Sequence, residues 1–257
     1  MRISLVGAGR VATHLARVLG QSHQIIDVYS RTLDKAQILA EQVNAKACST
    51  IQEMQSDVDL VVIAVSDQSI STVIPALAAQ FPNRLIVHTS GSTHINILSQ
   101  HHERAGVFYP LQTFSLGREI NWHTTPLFIE AQQDADLKTL TMLAESLSER
   151  VYAYDSAQRL SLHLAAVFAC NFSNYCYDMA KQVVDAQQVD FSLLYPLILE
   201  TAHKATHNDP MRMQTGPAMR GDQNIMNMHT HMLENAERKD LSQVYALMSD
   251  QILKRHY

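Results

Sequence analysis

Apolar and polar positions alternate in two different rhythms along this chain. Through the first half, short β-branched runs separate amphipathic stretches. Arg2–Val6, Gln24–Tyr29, Asp59–Val65, Leu85–His88 and Gly106–Phe108 read as buried strands, and Arg10–Leu19, Asp34–Val43, Ser69–Ala79 and His94–Gln100 carry helical spacing. Strands alternating with helices predict βαβ units and a doubly wound parallel sheet. Pro126–Ala131, a helix over Ala135–Leu147 and a strand at Val151–Tyr154 extend it.

After Ser156 only the helical rhythm remains. Ala157 to Gln187 predicts one helix about 45 Å long at 1.5 Å per residue. Asp190 is placed to cap a helix running to His207, with Pro196 in its first turns, and Asp222 and Asp240 to cap helices over Gln223–Glu237 and Leu241–Arg255. Glycine usage agrees, since none falls between Gly117 and Gly216. The expected organisation is an α/β domain over residues 1–155 and an all-α domain over 156–257.

Composition narrows the class. The chain has 257 residues, 46% of them hydrophobic, and a net charge of −5. That is enough apolar material for a real core, with no basic footprint for nucleic acid. Apolar runs such as Leu60–Val65 are far short of the ~20 residues that span a bilayer. Three cysteines without CxxC spacing point to a reducing compartment, and a cytoplasmic protein handling a small-molecule substrate is the expectation.

The candidate chemistry starts at the first strand–helix junction. Gly7-Ala8-Gly9-Arg10-Val11-Ala12 is a GxGxxA sequence: Gly7 for the tight turn, Gly9 to leave room for a pyrophosphate, Ala12 for close helix packing. The tip of the second strand selects the cofactor. It reads Ser30-Arg31-Thr32, a cation and hydroxyls suited to a 2′-phosphate, while Asp27 falls mid-strand. NADP is the expected cofactor, although Arg31 also fits a solvated loop. Val65-Ser66-Asp67 and Thr89-Ser90-Gly91 end two further strands and should border the same ligand, or else are ordinary turns.

Tyr109-Pro110-Leu111-Gln112-Thr113-Phe114-Ser115, His163 with Asn171-Phe172, and Thr215-Gly216-Pro217-Ala218-Met219-Arg220-Gly221-Asp222 complete a pattern. With the GxGxxA turn, Tyr29–Thr32 and His88–Ser92, they make the chain resemble a bacterial family. That family pairs a Rossmann-like domain with a helical domain of unknown function and is assigned to the NADP oxidoreductases. It lies in the superfamily of ketopantoate reductase, pyrroline-5-carboxylate reductase, β-hydroxyacid dehydrogenases and deazaflavin-dependent NADP oxidoreductases. The resemblance implies a homodimer through the helical domain and a site in the cleft between domains. Two departures stand out: Tyr109 replaces the family's usual His, and the superfamily's helix lysine is missing, with Val167 four residues before Asn171.

The expected activity is NADPH-dependent reduction of a small C=O or C=N group. His163 is the expected proton donor, since an imidazole suits transfer near neutral pH, with Asn171 orienting the substrate or the nicotinamide carboxamide. A seam histidine and a helix-bridging asparagine are the competing structural readings. Arg220 is expected to recognise an anionic part of the substrate or cofactor beside the Asp222-capped helix, or else to brace its loop, and Asp222 and Pro110 are further substrate-binding candidates. A non-catalytic NADP sensor is the alternative function. No metal is expected: His203/His207 and His229-Thr230-His231 lack HExxH or cysteine partners.

Overall fold

The computed structural model describes residues 1–257. The chain divides into two compact units, Met1–Ala169 and Cys170–Tyr257. The first is built on eight strands: β1 Arg2–Val6, β2 Gln24–Tyr29, β3 Lys46–Cys48, β4 Leu60–Ile63, β5 Leu85–His88, β6 Ala105–Pro110, β7 Leu127–Ala131 and β8 Val151–Ala153. Its helices are α1 Arg10–Leu19, α2 Leu33–Gln42, α3 Asp67–Gln80, α4 Asn96–Ser99, α5 Asp134–Glu145 and α6 Ser156–Ala166.

The sheet order is β3-β2-β1-β4-β5-β6-β7-β8. Reversal of direction at β1 and β4 makes the topological switch point of a Rossmann-like sheet, where ligands bind at carboxyl strand ends. Alternation along each strand feeds two cores. Ile3, Leu5, Leu60 and Val62 pack with α1, α2 and α5 on one face, whereas Val6, Val61, Ile63 and Ile86 pack with α3 on the other. Strands buried on both faces explain the continuous apolar runs.

Within the sheet and its connections, three features depart from the sequence expectation. Strand β7 pairs antiparallel with β6, while the other neighbouring pairs are parallel. The reason is the connection: residues 111–126 hold only the 3₁₀ turn Trp122–Thr124, not the crossover helix a parallel return needs. The short edge strand β3 had no period to betray it. The helix expected over His94–Gln100 shrinks to the single turn of α4.

A π-helical segment, Val167–Phe172, interrupts the expected long helix, and the division between the units falls inside it. The second unit then holds α7 Ser173–Asp185, α8 Tyr195–His207, α9 Gln223–Asn235 and α10 Lys239–His256. Asp190 accepts from the Ser192 N–H and opens a 3₁₀ turn, Phe191–Leu194, ahead of α8, whose first turn holds Pro196. Asp222 caps α9 by accepting from the Ile225 N–H at 3.3 Å. Asp240 is not the cap of the last helix. It lies in the first turn and binds the Arg238 guanidinium at 2.9 and 2.7 Å. No helix is long and apolar enough to cross a membrane.

Candidate dinucleotide and reduction site

At the carboxyl end of β1, Gly7 has φ +121°, and its N–H donates to the Tyr29 carbonyl at 2.7 Å. A β-carbon there would run into the Ala64 carbonyl at the end of β4. Only glycine fits so tight a turn. Gly9, the N-cap of α1, is the opposite case: a β-carbon on it would meet no atom within 4 Å. No side chain caps α1, and its first turn holds no acidic residue. Open space above uncapped N–H groups is what a pyrophosphate needs. Exposed Arg10 and partly exposed Ala8 and Val11 flank that space, while Ala12 is buried and packs against the sheet.

The tip of β2 carries no carboxylate. Asp27 is fully buried and accepts from the Ser4 hydroxyl at 3.0 Å and the Gln55 N–H at 2.9 Å, so its oxygens serve the interior. Beyond the strand, Ser30 Oγ accepts from the Thr32 N–H at 3.2 Å, and Thr32 is the N-cap of α2. Arg31 is exposed.

Two loops at neighbouring strand ends are tied together. Asp67 opens α3 after Val65-Ser66 and accepts from the Ser92 hydroxyl at 2.5 Å. Ser90 Oγ accepts from the N–H groups of Ser92 and Thr93 at 3.2 and 3.0 Å. The Thr89 hydroxyl and N–H both reach the Ile63 carbonyl. Beneath them His88 is fully buried, and its Nδ1 accepts from the Ser90 N–H at 3.2 Å. Burial first, and the Arg159 charge second, hold the His88 imidazole down at a pKa of about 3.

Two titratable side chains meet over Gly91. His163 on α6 places Nδ1 3.3 Å from the hydroxyl of Tyr109 on β6, with the rings edge to face. Four residues earlier on the same helix, buried Arg159 pairs with Glu130 of β7 and donates to the Thr93 carbonyl at 2.6 Å. The spacing of four puts Arg159 and His163 on the helix face turned to β6 and β7. Tyr109 itself is buried, and that burial, reinforced by the Asp67 charge, pushes its phenol up to about 12.

The remaining expected residues lie elsewhere. Pro110 is buried as the last residue of β6, pairing with Leu127, so its neighbour Tyr109 is the one presented at the site. Asn171 is exposed on the π segment, within the second unit. In that unit Gly216 (φ +105°) and Gly221 (φ +66°) bracket the Thr215–Asp222 loop. Arg220 is exposed, and the Asp222 carboxylate serves the α9 cap instead of bracing it. Pro217 and Ala218 line an apolar cavity of about 370 Å³ with Cys176, Tyr245 and Met248. A more open cavity, about 630 Å³, sits among Met1, His23 and Asp59 at the amino ends of the strands, the wrong end of a Rossmann-like sheet for a dinucleotide.

Residues 2–91 match the family described as NADP oxidoreductase, coenzyme F420-dependent, and residues 125–252 match a domain of unknown function, DUF2520. A solved structure of a proposed NADP oxidoreductase from Bacteroides fragilis is 39% identical, with 98% of each chain covered and a TM-score of 0.92. The chain belongs to this family of NADP oxidoreductases with a helical C-terminal domain. An imine reductase from Myxococcus stipitatus, solved with NADP+, shares the fold at 16% identity and a TM-score of 0.73, over 99% of this chain and 93% of its own. L-aspartate dehydrogenase of Methanocaldococcus jannaschii is 35% identical over 78 residues, 28% of this chain and 29% of that protein's length. The open space at Gly9 and the uncapped N–H groups at the start of α1 fit the pyrophosphate of a nicotinamide cofactor.

Sequence reasoning undervalued Tyr109 and passed over Glu130 and Arg159. The signal for Tyr109 was present: β6 alternates, so Val107 and Tyr109 share a face, and both join one apolar cluster with Phe128. Nothing local to Arg159 reveals that its partner lies 29 residues back in β7.

Proposed function

We propose that this oxidoreductase uses NADP(H) to reduce a small C=O or C=N substrate, with His163 as proton donor. The observation that carries this reading is the meeting of His163 with Tyr109 over Gly91, at the carboxyl strand ends that also form the glycine turn. A hydride acceptor lying there finds an imidazole within reach of its heteroatom. When bound, the cofactor supplies the hydride; the protein supplies orientation and the proton. The N–H groups at the start of α1 would hold its pyrophosphate, and Ser30, Arg31 and Thr32 the 2′-phosphate. Val65–Asp67 and Thr89–Gly91 would border it.

Asn171 and Arg220 are proposed to orient the substrate and receive an anionic part of it. The second unit is proposed to pair with a second copy of itself, because only Ala218, Met226 and Leu241 of its hydrophobic side chains are buried. The test is absorbance at 340 nm with NADPH and a panel of cyclic imines, ketones and aldehydes. Substrate-dependent oxidation that His163→Ala lowers by ~10²–10⁴-fold supports the reading. Tight NADP binding without turnover on any member would replace it with the sensor.

A further inference from the structure

We infer that Tyr109 is a positioning residue, holding His163 by Nδ1 so that Nε2 is the nitrogen offered to the substrate. The inference deepens the reading of His163 as proton donor and rests on it.

Three groups close on one point. A β-carbon on Gly91 would lie 2.6 Å from Tyr109 Cζ, 2.8 Å from its hydroxyl and 2.7 Å from His163 Nδ1. The imidazole is therefore confined on one side by the phenol and below by a backbone that leaves room only for hydrogen. The Tyr109 ring is confined in turn by Phe128, with centroids 6.2 Å apart. The polar partner of the Tyr109 hydroxyl is His163 Nδ1, which leaves Nε2 as the other ring nitrogen. The charged residues that act on Tyr109 are Asp67 and Arg159, and both are already engaged, by Ser92 and Glu130.

The phenol is a suitable partner because it can donate or accept. It keeps its own proton at any ordinary pH. Toward a neutral ring the hydroxyl donates to Nδ1, so the ring carries its hydrogen on Nε2. Toward an imidazolium the hydroxyl rotates, and its oxygen accepts the Nδ1 hydrogen. The same contact holds the ring in both states. In reduction, hydride adds to the carbon of C=X and the π electron pair moves to X. X then takes the Nε2 proton of the imidazolium, breaking that N–H bond, and solvent restores the proton. A carboxylate in place of the phenol would instead favour the charged ring throughout.

The test uses the cofactor-free full chain, labelled with ¹⁵N at histidine, at a pH where the His163 ring is neutral. Two-bond ¹H–¹⁵N correlations report which nitrogen carries hydrogen. The expected result is a single Nε2–H tautomer. Tyr109→Phe should give a mixture and lose the hydrogen-bond shift at Nδ1, with an unchanged melting temperature. Gly91→Ala, which keeps both side chains but drives them apart, should also give a mixture of tautomers. With a substrate from the panel, Tyr109→Phe should lower kcat on the order of 10- to 100-fold while NADPH affinity stays the same. An Nδ1–H tautomer in the unmodified protein, a His163 spectrum indifferent to Tyr109→Phe, or an unchanged kcat would each overturn the positioning role and leave the reductase reading standing. A locked ring in a protein with no turnover would overturn the reductase reading, and the positioning role with it.

Discussion

Arg159 and Glu130 form an ion pair inside the first unit, with 1% of the arginine side chain and 17% of the glutamate exposed. Ser156 joins it, donating to Glu130 at 2.8 Å, and the same guanidinium reaches the Thr93 carbonyl. The pair thus links α6, β7 and the loop after β5, the three elements that bring His163 to Gly91. Removing one partner leaves a buried charge alone, which costs about 3–5 kcal/mol. Arg159→Met should therefore lower the melting temperature on the order of 10 °C. Adding Glu130→Leu should recover part of that loss, because no charge is then stranded. Differential scanning calorimetry on both variants checks the order; equal losses would mean that packing, not charge, sets the cost.

Gly7 and Gly9 separate folding from binding. Gly7→Ala combines a positive φ with a collision against the Ala64 carbonyl, so the folded protein should lose about 3 kcal/mol or more. Gly9→Ala meets open space at an ordinary φ of −86°. It should cost no more than about 1 kcal/mol, mostly through the weaker N-cap. Its β-carbon occupies the proposed pyrophosphate space, so the NADP Kd should rise by ~10-fold or more, an effect of about 1.4 kcal/mol. Urea midpoints and calorimetric titration measure the two effects separately. Unimpaired NADP binding by Gly9→Ala would remove the cradle from the argument.

If NADP is the cofactor as proposed, its preference over NAD should depend on Arg31. Because Asp27 is consumed by Ser4 and Gln55, no carboxylate awaits the ribose hydroxyls at the tip of β2. A charge-assisted arginine–phosphate contact contributes ~1.5–3 kcal/mol, so NADPH should bind ~10- to 100-fold more tightly than NADH. Arg31→Ala should remove most of the difference and leave NADH affinity unchanged. Equal affinities in the unmodified protein would sink the assignment.

How much of this was legible beforehand depends on the range of the interaction. Strands β1, β2 and β5 were readable to the residue, since burial on both faces writes a continuous apolar run into the chain. The Gly7–Ala12 turn was readable because its backbone demands act within six residues. Strand β3 escaped because Lys46-Ala47-Cys48 is too short for a period and owes its strand to pairing with β2. The reversal at β7 escaped because direction is fixed by how a connection crosses the sheet. The pairings of Tyr109 with His163 and of Arg159 with Glu130 escaped for the same reason: the partners lie 54 and 29 residues apart and are brought together only by the fold.

His88 gives the protein a pH-dependent stability of known sign. Its native pKa, about 3, is far below the 6.5 of an ordinary histidine. Below pH 6.5 the unfolded chain takes up a proton that the native state refuses. The stability this group contributes is therefore complete above pH 6.5 and is lost as the pH falls toward 3, at up to ~1.4 kcal/mol per pH unit. His88→Gln should flatten that dependence while costing some stability at pH 7. Urea unfolding at intervals between pH 7 and pH 4 distinguishes the two slopes, and parallel curves would show that His88 is not the group responsible.

The helix α8 makes the strongest case for a second copy of the chain. None of its residues is buried, and its substantial packing within the chain is confined to the 3₁₀ turn that leads into it. Leu193, Leu197 and Leu199, at 71%, 63% and 70% exposure, present an apolar surface to solvent. A helix of 13 residues is marginal in water without tertiary contacts, and exposed leucines make the isolated unit costlier still. Burial of this surface against its counterpart in a second copy would offset both costs and make stability depend on protein concentration. Light scattering after gel filtration should give twice the 28.9 kDa of one chain, and dilution should lower the melting temperature. Leu197→Glu with Leu199→Glu should yield a monomer whose helical unit unfolds first, while Met1–Ala169 keeps its sheet, as hydrogen exchange would report. A stable, concentration-independent monomer in the unmodified protein would contradict the pairing and require another partner for α8.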